Sequence, residues 1–352
     1  MDKLLQLKPF SLTHRRKNAL FSKTIKFLNQ HHYENCKGYS SILDVFGYKQ
    51  IQSTKVEELP FIHVNAFKNN KLYSIEKKRI LKTVESSGTS GKKVSKIFLD
   101  KENAKSQAIV LKSIVSDFIG NKRLPMLIVD SELELKNRFT HSARAAGIIG
   151  FSIFGKNKYF ALNKKMELEE KVVTEFFKKY KNKEILIFGF SYIVWKNFIK
   201  KILKTGYNLP KVKGTLIHGG GWKKLNNEKV SNAIFKKTIQ NVCGVNKIIN
   251  YYGMVEQTGS IFLECENGFF HTSNFSDIFI RNKNYSLCDF NEPGLVQLIS
   301  LLPKSYPGHN IITDDIGRVV GIDDCECGRK GKYFLVDGRI KKAELRGCSD
   351  TA

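Results

Sequence analysis

Apolar and polar positions alternate in two different rhythms along the chain. Near the start, Leu20, Phe21, Ile25 and Leu28 recur at helical spacing, and residues 1–85 read as basic amphipathic stretches separated by loops, a helical entry region. Val84 and Glu85 then lead into a glycine- and hydroxyl-rich octet at 86–93. The alternating segment 95–99 follows, so this stretch predicts a strand, a tight loop and a second strand. From residue 100 onward Ala104, Ala108, Leu111, Ile114, Val115 and Phe118 keep a helical period that stops at Gly120. Short continuous apolar runs at 125–129 and 184–188 suit strands buried on both faces of a mainly parallel sheet. Helical patterns at 167–180 and 192–204 alternate with such runs, and 214–218 and 247–252 are further strands. Beyond about Leu263 the rhythm changes to short strands and turns at 277–281, 295–302, 318–322 and 333–336. The pattern predicts an α/β protein: a helical entry at 1–85, an α/β core at 86–262, a smaller β-rich subdomain at 263–337 and a short tail at 338–352.

A chain of 352 residues buries a substantial core without covalent staples. Seven cysteines, an odd number, and an N-terminus with no charged-then-apolar leader point to a reducing, cytoplasmic setting. The apolar run 185–195 is about half the roughly 20 residues that a spanning helix needs, so no membrane span is expected. A net charge of +26 raises nucleic acid as a partner, since clustered cations gain affinity by releasing counterions. The lysines are instead spread from Lys3 to Lys342. A dispersed positive field favours anionic substrates or acidic partners and disfavours a nucleic-acid face.

The octet Ser86, Ser87, Gly88, Thr89, Ser90, Gly91, Lys92 and Lys93 has the residue types of a phosphate cradle. Its glycines allow close backbone approach, its amides and hydroxyls can donate to phosphate oxygens, and lysine adds charge. It differs from the nucleotide-binding GxxxxGK[ST] loop, because two residues separate Gly88 from Gly91 and Lys93 stands where Ser or Thr belongs. Taken alone, an ordinary hairpin turn fits it as well.

Further motifs follow in order: Tyr252-Gly253-Met254-Val255-Glu256, then Thr313-Asp314-Asp315, then Gly338-Arg339. Together with the octet they resemble the acyl-adenylate-forming superfamily, whose motifs run SSGTTGxP, YGxTE, TGD and GR. The resemblance implies the α/β layered large domain of that fold and activation of a carboxylic acid by ATP and magnesium. It implies that Ser86, Ser87, Gly88, Thr89, Ser90, Gly91 and Lys92 hold phosphate, that Tyr252 and Gly253 flank the adenine, and that Gly219 and Gly220 also bind the nucleotide. It further implies that Glu256 serves magnesium, that Asp315 takes the ribose hydroxyls and that Arg339 is the arginine of the hinge motif. Here Val255 replaces the usual threonine, and Asp314 the usual glycine.

Three features narrow the resemblance to acyl-protein synthetases of the LuxE type: HGGGWKK at 218–224, YGMVEQTG at 252–259 and RGCSD at 346–350. Such enzymes activate a fatty acid, become acylated on a cysteine in the tail, and pass the acyl group to an acyl-protein reductase. Cys348 matches that cysteine, and with 13 residues after Arg339 the small C-terminal domain of acyl-CoA ligases is not expected. A mobile thiol is a chemically reasonable acceptor. Two other readings are kept: direct transfer to CoA, as in phenylacetate-CoA ligases, and a basic nucleic-acid-binding protein on a degenerate ligase fold.

Cys265 with His271, and Cys325 with Cys327, form two soft ligand pairs from which a tetrahedral structural zinc site could be built. The resemblance to phenylacetate-CoA ligases implies the same. The C-x-C spacing also fits buried cysteines. The small-residue and apolar stretch at 141–154 is read as helix-on-sheet packing or the lining of an acyl tunnel.

Overall fold

The computed structural model describes residues 2–48, 53, 55–86, 93–135, 140–206, 208–221 and 230–340. Fifteen strands occur among them. In chain order they are β1 (Ile62–His63), β2 (Lys82–Glu85), β3 (Lys96–Leu99), β4 (Leu124–Ser131), β5 (Thr140–Ser142), β6 (Gly155–Leu162), β7 (Ile185–Phe190) and β8 (Gly214–Gly219). Then come β9 (Lys247–Tyr252), β10 (Phe262–Leu263), β11 (Phe270–His271), β12 (Ser276–Arg281), β13 (Gly294–Ser300), β14 (Asn310–Ile322) and β15 (Lys332–Arg339). The chain divides into two compact units. Of the described residues, one unit takes those within 2–86, 93–118 and 253–340, the other those within 119–252.

The second unit is built on a parallel sheet in the order β9-β8-β7-β4-β6. Every residue of β7 and β8 is buried. That is why these strands read in the sequence as continuous apolar runs with no alternation. Strand β6 carries Lys156, Asn157 and Lys158 on its exposed part, and this polar run hid it from the apolar pattern. The helix expected at 192–204 forms as Ser191–Ile193, a π turn at Val194–Ile199 and Lys200–Thr205.

The first unit holds an antiparallel sheet, β11-β15-β14-β13-β12, with β1 added in parallel to β14. The expected strands at 277–281, 295–302, 318–322 and 333–336 are all present, but β14 runs from Asn310, well before the expected start. Its early half contains Thr313, Asp314 and Asp315, polar residues that conceal a strand. The hairpin of β2 and β3 pairs antiparallel, Glu85 opposite Lys96. The helix Lys101–Ile119 turns a stripe inward that includes Asn103 and Gln107 beside Val110, Ile114 and Phe118. Ala108, expected on that stripe, is exposed. Polarity is tolerated there because Asn103 Oδ1 accepts from the Lys304 and Ser305 amides, at 2.7 and 3.0 Å. The helix His14–Asn35 buries Phe21, Ile25 and Leu28 as the spacing predicts, while Leu20 is half-buried.

Candidate functional site

The hairpin closes at its base through two bonds between the same serines. Ser86 N–H donates to the Ser95 carbonyl at 3.0 Å, and Ser95 N–H donates to Ser86 Oγ at 2.9 Å. Ser86 therefore anchors the loop. Ser87, Gly88, Thr89, Ser90, Gly91 and Lys92 lie outside the described residues, as does Cys348.

Glu256 sits in a single 3₁₀ turn, Val255–Gln257, and is 5% exposed. Two contacts fix that turn. Gln257 Nε2 donates to the carbonyls of Leu298 at 3.0 Å and Gly308 at 2.9 Å. Gly259 has φ +88°, and a Cβ there would fall 2.8 Å from Gln107 Cα, so only glycine lets the turn lie against the Lys101–Ile119 helix. Burial pushes the Glu256 carboxyl above its usual value, while the neighbouring Ser95 hydroxyl and the charge of Arg339 pull it back. A buried carboxyl of this kind becomes an anion readily once a cation is beside it.

Asp315 and Arg339 face each other across β14 and β15 in register. Arg339 Nε donates to Asp315 Oδ1 at 2.6 Å, a charge-assisted bond. Thr313 holds the local backbone: its Oγ1 accepts from Asp315 N–H at 3.1 Å and donates to the Val296 carbonyl at 2.9 Å. Glu256, Asp315 and Arg339 thus come together in one unit, close enough that each charge bears on Glu256. Gln257 and Thr313 were missed as site residues because nothing in their chemistry sets them apart until the carbonyls they engage are known.

In the parallel-sheet unit, Gly219 ends β8 opposite Tyr251 of β9. A side chain on Gly219 would occupy the place of the Tyr251 ring, which packs at 5.0 Å against Phe151. Gly220 follows with φ +78°, and Tyr252 is the last residue of β9, with Gly253 next along the chain. His218 is buried, and burial lowers it to about 3, so the ring is neutral. Its Nδ1 lies 2.8 Å from Ser191 Oγ. In the stretch read as helix-on-sheet packing, Arg144 is a buried ionic residue, 3.2 Å from Asp130 and 2.8 Å from Glu134.

A separate cluster in the first unit gathers Cys265, His271, Cys325 and Cys327, whose ligand atoms all lie within 4.8 Å of one another. Two turns of the same design present the thiols. In each, a glycine amide donates to the carbonyl of the cysteine three residues earlier, Gly268 to Cys265 at 3.0 Å and Gly328 to Cys325 at 2.9 Å. Both glycines have positive φ, +84° and +79°. The sequence signal is a doubled C-x-x-G, in Cys265-Glu266-Asn267-Gly268 and Cys325-Glu326-Cys327-Gly328. Burial pushes the Cys265 thiol up to about 12 and lowers His271 to about 4, the shifts of ligands packed together in neutral form. Three sulfurs and an imidazole at this spacing suit a tetrahedral soft or borderline cation.

The α/β architecture is that of the adenylate-forming ligases. A 2-hydroxyisobutyryl-CoA ligase in an open conformation, solved with 2-HIB-AMP and CoA, superposes with a TM-score of 0.72 at 11% identity, covering 95% of this chain and 77% of that one. The same ligase in its postadenylation state gives 0.71 at 13% identity, covering 95% and 70%. No curated protein matches the sequence. The acyl-protein synthetase family LuxE matches over residues 1–352, and the chain belongs to that family. By that membership it is a ligase. Among the described residues, no helix is long and apolar enough to cross a membrane.

Proposed function

We propose that the protein joins a fatty acid to AMP and then accepts the acyl group on Cys348. In the first step a carboxylate oxygen attacks the α-phosphorus of ATP, and pyrophosphate leaves. In the second the Cys348 thiolate attacks the acyl carbonyl. A C–S bond forms, the C–O bond to AMP breaks, and the thiol proton goes to solvent. The thioester is then handed to an acyl-protein reductase, the partner that family membership suggests.

The observation that carries this reading is the convergence of Glu256, Asp315 and Arg339 from a turn and two strands. Asp315 would take the ribose hydroxyls, with Arg339 holding its carboxylate in place. Magnesium, when bound, neutralises charge on the departing pyrophosphate, and the buried Glu256 is the residue suited to hold it. Ser86 would keep the phosphate loop closed at its base while Thr89, Ser90 and Lys92 meet the phosphates. Tyr252 and Gly253 would flank the adenine, and Gly219 and Gly220 would also bind the nucleotide. The acyl-AMP named in the solved ligase is the intermediate this scheme requires. Zinc fits the Cys265, His271, Cys325 and Cys327 cluster as a structural pin, because two matched glycine turns present the thiols toward one point. The reducing cytoplasm suits free thiols there.

One experiment tests the acyl route. Purified protein is incubated with ATP and radiolabelled fatty acids, alongside Cys348→Ser. The variant should keep ATP–pyrophosphate exchange and carry no hydroxylamine-labile acyl group. A CoA acceptor has one observation in its favour, the CoA bound in the solved ligase. Acylation of CoA at equal rates by both proteins, with no labelled protein, would replace the thioester scheme.

A further inference from the structure

Asp314 stands where the resembled motif has glycine, directly before the candidate ribose aspartate, and the structure supplies it with a partner. The two-residue strand β1 lies parallel to β14, Ile62 opposite Ile311 and His63 opposite Ile312, and the Val64 amide continues the ladder to the Ile312 carbonyl at 2.9 Å. This places His63 Nε2 3.1 Å from Asp314 Oδ1. The tautomer follows from the other nitrogen. Asn65 N–H donates to His63 Nδ1 at 3.2 Å, so the ring proton of the neutral form sits on Nε2 and is donated to Asp314. The Asp314 carbonyl is held as well, accepting from Ile340 N–H at 3.1 Å, one residue beyond Arg339.

The side chain and the main chain of Asp314 are therefore both tied, at the residue between Thr313 and Asp315. A glycine there offers no side chain to tie. We propose that His63 and Asp314 form a positioning pair that fixes β14 so that Asp315 presents its carboxylate to the ribose hydroxyls, making the pair a determinant of selectivity for the ribose. Burial alone gives no reason for the pair, since His63 is 38% and Asp314 21% exposed at the side chain. A hydrogen-bonded pair that exposed contributes little to stability. Its effect lies in orientation. The inference rests on Asp315 being the ribose ligand.

The test compares dissociation constants of Mg·ATP and Mg·2′,3′-dideoxy-ATP by equilibrium dialysis for the full chain. The ratio isolates the ribose hydroxyls from all other contacts and needs no acid substrate. Wild type should prefer ATP by about tenfold or more, the scale of hydrogen bonds to a charged group. Asp315→Asn should bring the ratio near one. His63→Ala should reduce the preference to about twofold, and His63→Gln, whose amide nitrogen can take the place of Nε2, should restore it. If Asp315→Asn abolishes the preference while His63→Ala keeps it, the positioning pair is wrong and the ribose reading stands. A preference lost in His63→Ala and not regained in His63→Gln also overturns the pair. Wild type with no preference, or an unchanged ratio in Asp315→Asn, removes the ribose reading and the pair with it.

Discussion

Two polar clusters in the same unit follow opposite designs. Around Cys265, His271, Cys325 and Cys327 every ligand atom faces the others, and burial holds the thiol of Cys265 near 12. A cation placed at the centre would draw on all four ligands at once. Around Asp315 and Arg339 the compensation is already made, in a 2.6 Å bond across two paired strands, and Glu256 is left as a buried acid pushed upward. The first arrangement is closed and suits a resident ion that holds the chain together. The second keeps one acid available and suits a ligand that comes and goes. Burial raises the proton affinity of an acid in both places, so the shift alone does not separate a structural site from a working one. What separates them is whether the neighbours point inward at one another.

The largest effect should come from breaking the closed cluster. Cys327→Ser should lower bound zinc from about one per chain to near none and reduce Tm by more than about 10 °C, given the folding free energy that structural zinc supplies. Metal analysis and a melting curve read this directly. Wild type purified without zinc, melting at the same temperature as the variant, would make the four residues ordinary buried groups. Next comes the open group. Glu256→Gln should lower ATP–pyrophosphate exchange by about 10²- to 10³-fold, the loss typical of one preorganised electrostatic group, with zinc content unchanged. Exchange within a few-fold of wild type would remove Glu256 from the chemistry.

How far this contrast was legible before the fold was known depends on periodicity. Strands β7 and β8 could be read because they are buried on both faces and therefore uniformly apolar. The early half of β14 and all of β6 could not, since Asp314, Asp315, Lys156 and Lys158 interrupt any apolar pattern. The convergence of Glu256, Asp315 and Arg339 came from ordered motifs, and the pairing of Asp315 with Arg339 needed the strand register. Gln257 and Asn103 were invisible as supports. Their partners are carbonyls and amides far away in the chain, as with Gln257 and Gly308, and a backbone atom carries no sequence signal. The doubled C-x-x-G turn was present in the sequence and was read as two ligand pairs alone.

A smaller effect tests whether the open group depends on its backbone. Gly259→Ala must place a Cβ 2.8 Å from Gln107 Cα at φ +88°. Strain of this kind costs about 1–3 kcal/mol. Exchange should fall more than tenfold while zinc stays bound. Loss of zinc along with activity would mean that the two clusters are not independent.

The smallest effect concerns pH, and its sign follows from Glu256. Burial raises this carboxyl in the folded protein above its ordinary value of 4.5, so folding favours the protonated acid. Its favourable contribution is fully present below that ordinary value and is lost as pH rises through the folded-state value. At neutral pH without nucleotide or magnesium, wild type therefore keeps a destabilised acid in a dry place, and Glu256→Gln should melt higher by about 1–2 °C per kcal/mol relieved, since the unfolding entropy of a chain of 352 residues is roughly 0.7 kcal/mol/K. The difference should shrink as pH falls toward 4.5, where wild type carries the proton as well. Melting curves of both proteins from pH 8 down to 5 measure it. A variant that is less stable at pH 8, or a gap that widens on acidification, would mean that Glu256 is already paired in the folded chain and that the open half of the contrast is closed too.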